Sequence, residues 1–303
     1  MAKKAKGSAV SFEWVAAPED LAAYLNSLYI LRAGDIDIEE MMPAYSGQVC
    51  VPLRGSGTMQ FHDGTTARTS PCYFLGPLTQ AQRFTVKAGS VTLGASLNVR
   101  GWTAFSGIPA DEAKNSAFPA EKVLEEEATQ RLLALNGQVA EGHLTEREAL
   151  DVLADVIRQG VKSLPVRHEQ VIAETTAWLS SSFKPEIADL MEALPYSERQ
   201  VQRLVTRFFG QPPVRLIRRF RAVRAATLLT MEKLDPALEA EVRGSFYDQA
   251  HMIKEIRHFV GKTPRRLQPN QDTMVRETLG EPGYGTVDLF GGNQDEALGR
   301  APR

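Results

Sequence analysis

At 303 residues the chain is long enough for two domains, and 43% hydrophobic with 24% charged residues is the composition of an ordinary globular protein, not of a fibrous or disordered one. A formal charge of −2 does not by itself point to nucleic acid, and no uninterrupted apolar segment approaches the roughly 20 residues needed to cross a bilayer. The opening MAKKAKGSAVSFEW is basic but lacks the apolar core of a signal peptide, so the expected location is the cytoplasm.

Residues 1–10 read as a disordered leader. From Pro18 to Leu28, Leu21, Leu25 and Leu28 fall on one face of a short amphipathic helix. The texture then turns to β. YILRAGDIDIEEMM, GQVCVPLRGSGTMQFHD, ARTSPCYFLGP and QRFTVKAGSVTLGASLNV are short apolar or alternating runs separated by glycine, proline and the Asp63-Gly64 turn. Six to eight strands at this spacing favour a small barrel or sandwich, residues 11–120 forming one domain. Its two cysteines, Cys50 and Cys72, have no metal-ligand spacing and read as reduced, buried thiols. A transition-metal centre needs several converging His or carboxylate ligands, and residues 29–100 hold one histidine, His62, at a turn; no metal, cofactor or catalytic role is expected. A pocket in such a barrel would be mostly apolar with a few polar groups, and Tyr45, Gln48, Arg54, Tyr73 and Trp102 are its candidate lining.

After Gly101 the pattern becomes helical, first around Trp102–Phe105. Glu121–Leu135 and Glu146–Val161 then read as amphipathic helices, the second opened by a capping box of Thr145 and Glu148. This segment, 121–165, is read as a helical linker. Its stripe of Leu150, Leu153, Val156, Ile157 and Val161 fits either intramolecular packing or a dimer contact. His168–Ser181 is a further helix, followed by a Phe183-Lys184-Pro185 corner.

Residues 197–210, SERQVQRLVTRFFG, and 248–261, DQAHMIKEIRHFVG, then repeat one unit at an offset of 51, with Phe208, Gly210 and Pro213 recurring as Phe259, Gly261 and Pro264. Ser197 and Gln200 form a capping box; Val201, Leu204, Val205 and Phe208 share one face, and Arg199, Gln202, Arg203 and Thr206 the other. In the second copy Asp248 caps, Met252, Ile256 and Phe259 pack, and Ala250, Ile253, Lys254 and Arg257 face outward. Gly210 suits a left-handed helix end, and Pro213 the first turn of a linking helix expected to run to Lys233. Between Tyr196 and Arg224 eight arginines stand against one acid, Glu198, the footprint of a DNA face. The tail from Gln268 reads as disordered, with Val287–Phe290 able to dock locally.

This arrangement resembles the AraC/XylS transcription regulators. The resemblance is carried by the Ser197, Arg199, Arg203 run, the Gly210–Pro213 corner, Arg221 and Ala225 on the linking helix, and YDQAH ending in FVGKTP, covering roughly residues 170–268. Where that family has a glycine before the aromatic of the second unit, this chain has Ser245. The resemblance implies an α+β multidomain chain, with an N-terminal cupin-like β-barrel and flanking helices ahead of an all-α double helix-turn-helix domain at 166–268 and a tail at 269–303; the GWTAF-SGIPADE segment fits the cupin-like part. It implies a sequence-specific, double-stranded-DNA-binding regulator, activator or repressor, whose units enter successive major grooves. Candidate base-reading residues are Arg199, Gln202 and Arg203 in the first unit and Gln249, Ala250, Ile253 and Lys254 in the second; candidate phosphate contacts are Arg207, Arg215, Arg218, Arg219 and Arg257. A small-molecule effector, RNA polymerase and a second copy of the chain are candidate partners. The rival readings are a cupin-type small-molecule-binding or protein-interaction protein, and a metal-dependent cupin enzyme.

Overall fold

The computed structural model describes residues 10–230, 236–267 and 278–279. Its N-terminal part is built from β1 (Val10–Val15), β2 (Leu25–Ala33), β3 (Ile38–Met42), β4 (Gln48–Arg54), β5 (Gly57–Gln60), β6 (Thr66–Arg68), β7 (Tyr73–Leu75), β8 (Gln82–Val86), β9 (Val91–Leu97) and β10 (Ala117–Pro119). These form a six-stranded sheet, β1-β2-β9-β4-β7-β10, and a four-stranded sheet, β3-β8-β5-β6, with every pairing antiparallel.

Nine strands precede the first α-helix, one more than the six to eight expected: each of the four apolar runs is broken into two strands, one in each sheet, and β1 adds the ninth. In the second run the break is Gly55, which sits at φ +81, where a side chain would also collide with Ser90. The fifth contributor, β1, begins at Val10, within the segment expected as leader, and pairs Phe12 with Leu31 and Trp14 with Tyr29. The Pro18–Leu28 helix does not form. Only the 3₁₀ turn Glu19–Leu21 is helical, and Leu25 and Leu28 are already in β2, opposite Leu97 and Ala95 of β9. Cross-strand pairing overrides a helical spacing made of only three leucines.

Short helices follow: α1 (Val99–Gly101), running into a π turn at Trp102–Ser106, then α2 (Ala110–Ala113), α3 (Glu126–Leu133), α4 (Leu135–Ala140) and α5 (Glu146–Gly160). The single helix expected over 121–135 is a 3₁₀ turn at Ala120–Lys122 followed by α3. The capping box of α5 is present, Thr145 Oγ1 accepting from the Glu148 N–H and Glu148 from the Thr145 N–H. Leu150, Leu153, Val156 and Ile157 are at most 2% exposed and share one core with Leu28, Ile30, Val51 and Leu93 of the six-stranded sheet. The buried faces of the helices within 121–165 therefore pack on the β-domain, and the stripe that fits a dimer contact is used within the chain.

The C-terminal part comprises α6 (Val166–Ser181), α7 (Ile187–Ala193), α8 (Glu198–Phe209), α9 (Pro213–Leu229), α10 (Pro236–Gly244) and α11 (Gln249–Val260). It has two apolar centres. Val171, Trp178, Leu190, Val201, Val205 and Leu216 form one around α8; Ala222, Ala225, Val242, Met252, Ile256 and Phe259 form the other around α11. The linking helix α9 enters both and is buried on every side from Arg221 to Leu228. Its expected end at Lys233, and the tail beyond Gln268 apart from Thr278 and Leu279, lie outside the described residues.

Leu150 has no exposed surface. Leu150→Ala removes its buried methyl groups and leaves a cavity, which should destabilise the chain by about 2–5 kcal/mol, read as a lowered urea midpoint of the full-length protein.

Candidate nucleic-acid interface

The second helix of the first unit, α8, starts where Gln200 Oε1 accepts from the Ser197 N–H at 3.0 Å and hydroxyl at 2.9 Å, and ends at Gly210, at φ +76. Val201, Val205 and Phe208 are buried while Arg199, Gln202, Arg203 and Arg207 are exposed. Gln202 Nε2 donates to Glu198 Oε1 at 3.1 Å, which holds its amide along the helix face. In the second unit Asp248 Oδ1 accepts from the His251 N–H at 2.7 Å to start α11, and Gly261 at φ +83 ends it. Gln249, Ala250, Ile253, Lys254 and Arg257 are exposed. The second face is the poorer in hydrogen-bonding groups, Ala250 and Ile253 standing where the first has polar side chains.

The two faces have different surroundings. The outer side of α11, with Arg215 and Arg218 of α9, forms one wall of a cleft of about 760 Å3 whose other wall is the β-domain: Met41, His62, Gln80 and Ala81. The β-domain also touches the end of α11 directly. Ala81 N–H donates to the His258 carbonyl at 3.0 Å, Ala44 N–H to the Phe259 carbonyl at 2.7 Å, and Lys262 pairs with Glu40 at 2.5 Å. A Cβ on Gly261 would lie 2.5 Å from Met41 Cβ, so glycine is required there for the approach as well as for the turn.

The arginines of α9 divide by direction. Arg215 is exposed, as a phosphate contact requires. Arg219, placed with it from sequence, is only 9% exposed, and burial lowers its guanidinium to about 10. Arg218 donates through Nε to Glu255 Oε1 at 2.6 Å, so its charge is engaged within the protein. Arg221 donates to the other oxygen of Glu255 at 2.5 Å and to the Ser245 carbonyl at 2.9 Å, and lies over the Phe246 ring. Arg224 donates to the Ser182 carbonyl at 2.9 Å and lies over Phe183. One helix thereby grips the corner before the first unit and the core of the second.

Glu255 is the acceptor at the centre of this arrangement and was not anticipated. It is 1% exposed, with His251 Nε2 at 3.1 Å as a third neighbour. Burial alone would push its carboxyl up, but hydrogen bonds from Arg221 and Arg218 outweigh that and hold it below the ordinary carboxylate value. The available signal was a carboxylate placed directly before Ile256 on the packing face of α11, opposite an arginine-rich helix.

Inside the β-domain a cavity of about 80 Å3 lies between the sheets. Of the five candidates, Gln48, Arg54 and Tyr73 line it. Tyr45 and Trp102 do not: Tyr45 is buried elsewhere, and Trp102 packs on Gly47 and Phe74 with its indole N–H on the Ile108 carbonyl at 2.9 Å. Tyr29 and Cys50 line the cavity but were not singled out; the Tyr29 hydroxyl donates to Gln48 Oε1 and sits 3.7 Å from Cys50 Sγ. Burial pushes the Cys50 thiol up to about 11 and the Cys72 thiol up to about 12, and both are free thiols. Among the described residues no group of three or more His, Cys, Asp or Glu is arranged to hold a metal ion, and no helix is long and apolar enough to cross a membrane.

Two copies of a capped helix ending in a left-handed glycine, each with an exposed outer face and joined through one buried helix, define a double helix-turn-helix DNA-binding domain. Residues 190–270 match the family described as a helix-turn-helix domain, so the C-terminal part of the chain is an AraC-type helix-turn-helix domain, the DNA-binding part of a transcription regulator. No curated protein matches it. Among solved structures, ToxT from Vibrio cholerae aligns at 9% identity over 86% of this chain and 97% of that one, with a TM-score of 0.44. The wild-type ToxT described as bound to an unsaturated fatty acid aligns at 10% identity over 88% and 97%, with a TM-score of 0.43. The AraC-like transcriptional activator CuxR aligns at 14% identity over 72% and 86%, with a TM-score of 0.30.

Removing one partner of a buried ion pair leaves the others uncompensated, so Glu255→Gln should destabilise the second unit by about 3–5 kcal/mol. Because the folded-state carboxyl lies below its ordinary value, its stabilisation is complete above about pH 4.3 and is lost as pH falls through the lowered value. Urea midpoints of wild type should fall across that acidic window, and those of Glu255→Gln should fall less.

Proposed function

We propose that the two units read successive major grooves on one side of a DNA duplex, and that the β-domain at 11–120, with the helices of 121–165, adjusts this reading in response to a compact, mostly apolar effector. The observation that carries the first half is α9: 17 residues span about 26 Å at 1.5 Å per residue, of the order of one B-DNA turn. Packed into both apolar centres and gripped by Arg218, Arg221 and Arg224, it holds the spacing of the two helices. Arg199, Gln202 and Arg203 are assigned to base edges, since arginine pairs bidentately with guanine and glutamine with adenine. Arg207 and Arg215 are assigned to phosphates, where they add affinity without sequence information.

The effector half rests on the cavity beside Tyr29, Gln48 and Tyr73, an apolar space with a few hydroxyl and amide groups, the usual make-up of a small-molecule site. At about 80 Å3 it is smaller than the roughly 150 Å3 that admits benzene in an engineered cavity, so ligand entry requires the sheets to part.

Binding-site selection from a genomic fragment pool, followed by footprinting, tests the reading. Wild type should protect two grooves about one turn apart. Arg199→Ala should relax the preferred sequence by about 1–3 kcal/mol at one position. Arg215→Ala should weaken all sequences alike and reduce the salt slope by about one. Protection of a single groove, or a changed preference in Arg215→Ala with none in Arg199→Ala, would overturn the assignment.

A further inference from the structure

The cleft between α11 and the β-domain has a charge imbalance that the fold itself does not correct. Four permanent or near-permanent cations line it, Arg215, Arg218, Lys254 and Arg257, against one carboxylate, Glu255. That carboxylate is already shared by Arg218, Arg221 and His251. Among the described residues, Arg215, Lys254 and Arg257 have no ion-pair partner. His258 at the same place is held below its ordinary value by burial first, and then by the charges of Arg218, Arg215 and His62, with Glu255 opposing. Like charges crowded into a partly enclosed space raise the local concentration of anions.

The enclosure separates this site from an ordinary DNA-facing surface. His62, Gln80 and Ala81 of the β-domain bound it on the side opposite Lys254. A recognition helix has to enter a groove about 12 Å wide, and here the β-domain wall stands across part of the face of α11, so reading by the second unit requires the β-domain to move away. A volume of about 760 Å3 lies in the range of small-molecule sites.

We propose that this cleft binds a small polyanion of the polyphosphate class, held by Arg215, Lys254 and Arg257 on one side and by His62 and Gln80 on the other. The bound anion bridges the two domains, keeps α11 against the β-domain, and competes with the DNA backbone for the same cations. The site is separate from the barrel cavity, and it shares its cationic wall with the second reading face.

The test is calorimetric titration of the full chain with inorganic pyrophosphate at low salt, beside titration with a short duplex carrying the selected site. Wild type should bind pyrophosphate saturably. Losing one charge-assisted hydrogen bond should weaken it about tenfold in Lys254→Ala and in His62→Ala, and Arg199→Ala should leave it unchanged. The duplex arm should show the opposite pattern on the control residues, with weakening by Arg199→Ala and none by His62→Ala. Pyrophosphate should also displace duplex less effectively from His62→Ala than from wild type. Because His62 is exposed on a turn, that variant should keep its fold, and Gln80→Ala provides a second test of the same wall. Absence of saturable pyrophosphate binding, equal loss in Arg199→Ala, or unchanged affinity in both His62→Ala and Gln80→Ala would overturn the site. Failure of Arg199→Ala to affect the duplex would count against the DNA-reading assignment and leave the anion site standing.

Discussion

The second helix-turn-helix unit depends on one buried carboxylate. Glu255 lies within the apolar face of α11, and without cations its burial would cost several kcal/mol. Arg218 and Arg221, one helical turn apart on α9, satisfy both its oxygens. The consequence is geometric. Packed methyl groups alone would tolerate a small rotation of α11 against α9, whereas a carboxylate bound by two arginines has one good orientation. Arg224, at the next turn, fixes the corner at Phe183 in the same way. The relative setting of the two helices is thus determined by three arginines whose hydrogen bonds lie within the protein.

Much of this architecture was legible from the chain. The capping residues Thr145, Ser197 and Asp248, the glycine ends at 210 and 261, and the apolar stripes of α5, α8 and α11 all act through their nearest neighbours, so their spacing carries their structure. Short pieces stabilised from afar were less legible. Leu21, Leu25 and Leu28 have helical spacing, yet two of them belong to a strand whose partner, β9, lies about 70 residues away. The DNA face shows the same limit. Eight arginines spread over α8 and α9 looked like one basic surface, but α9 is buried on every side from Arg221 to Leu228, and of its arginines only Arg215 is exposed. A charge count cannot separate inward from outward along a helix that is exposed at its start and enclosed at its end.

The β-domain shows a related division. Its cavity lining follows the strand alternation, so Gln48 and Cys50, two apart on β4, face it together. Tyr45 and Trp102, chosen for chemistry alone, lie outside that alternation and are consumed in packing. Met42 and Phe84 line the cavity from β3 and β8, and Met41, Ala44 and Ala81, one to three residues from them in the chain, meet α11. A single layer of sheet thus has an internal chamber on one side and a DNA-binding helix on the other.

The pairing of Ala44 and Ala81 with the last carbonyls of α11 bears on how freely such chains can be recombined. Helix ends normally find their closing donors in the residues that follow, or in solvent. Here two of the donors arrive from a polypeptide stretch more than 170 residues earlier, at the rim of a different domain. The boundary between sensing and DNA-binding parts is consequently not a clean seam for exchange. Any substitute domain grafted ahead of residue 166 would have to present two backbone N–H groups at the same separation, or leave the final turn of the second recognition helix open to water.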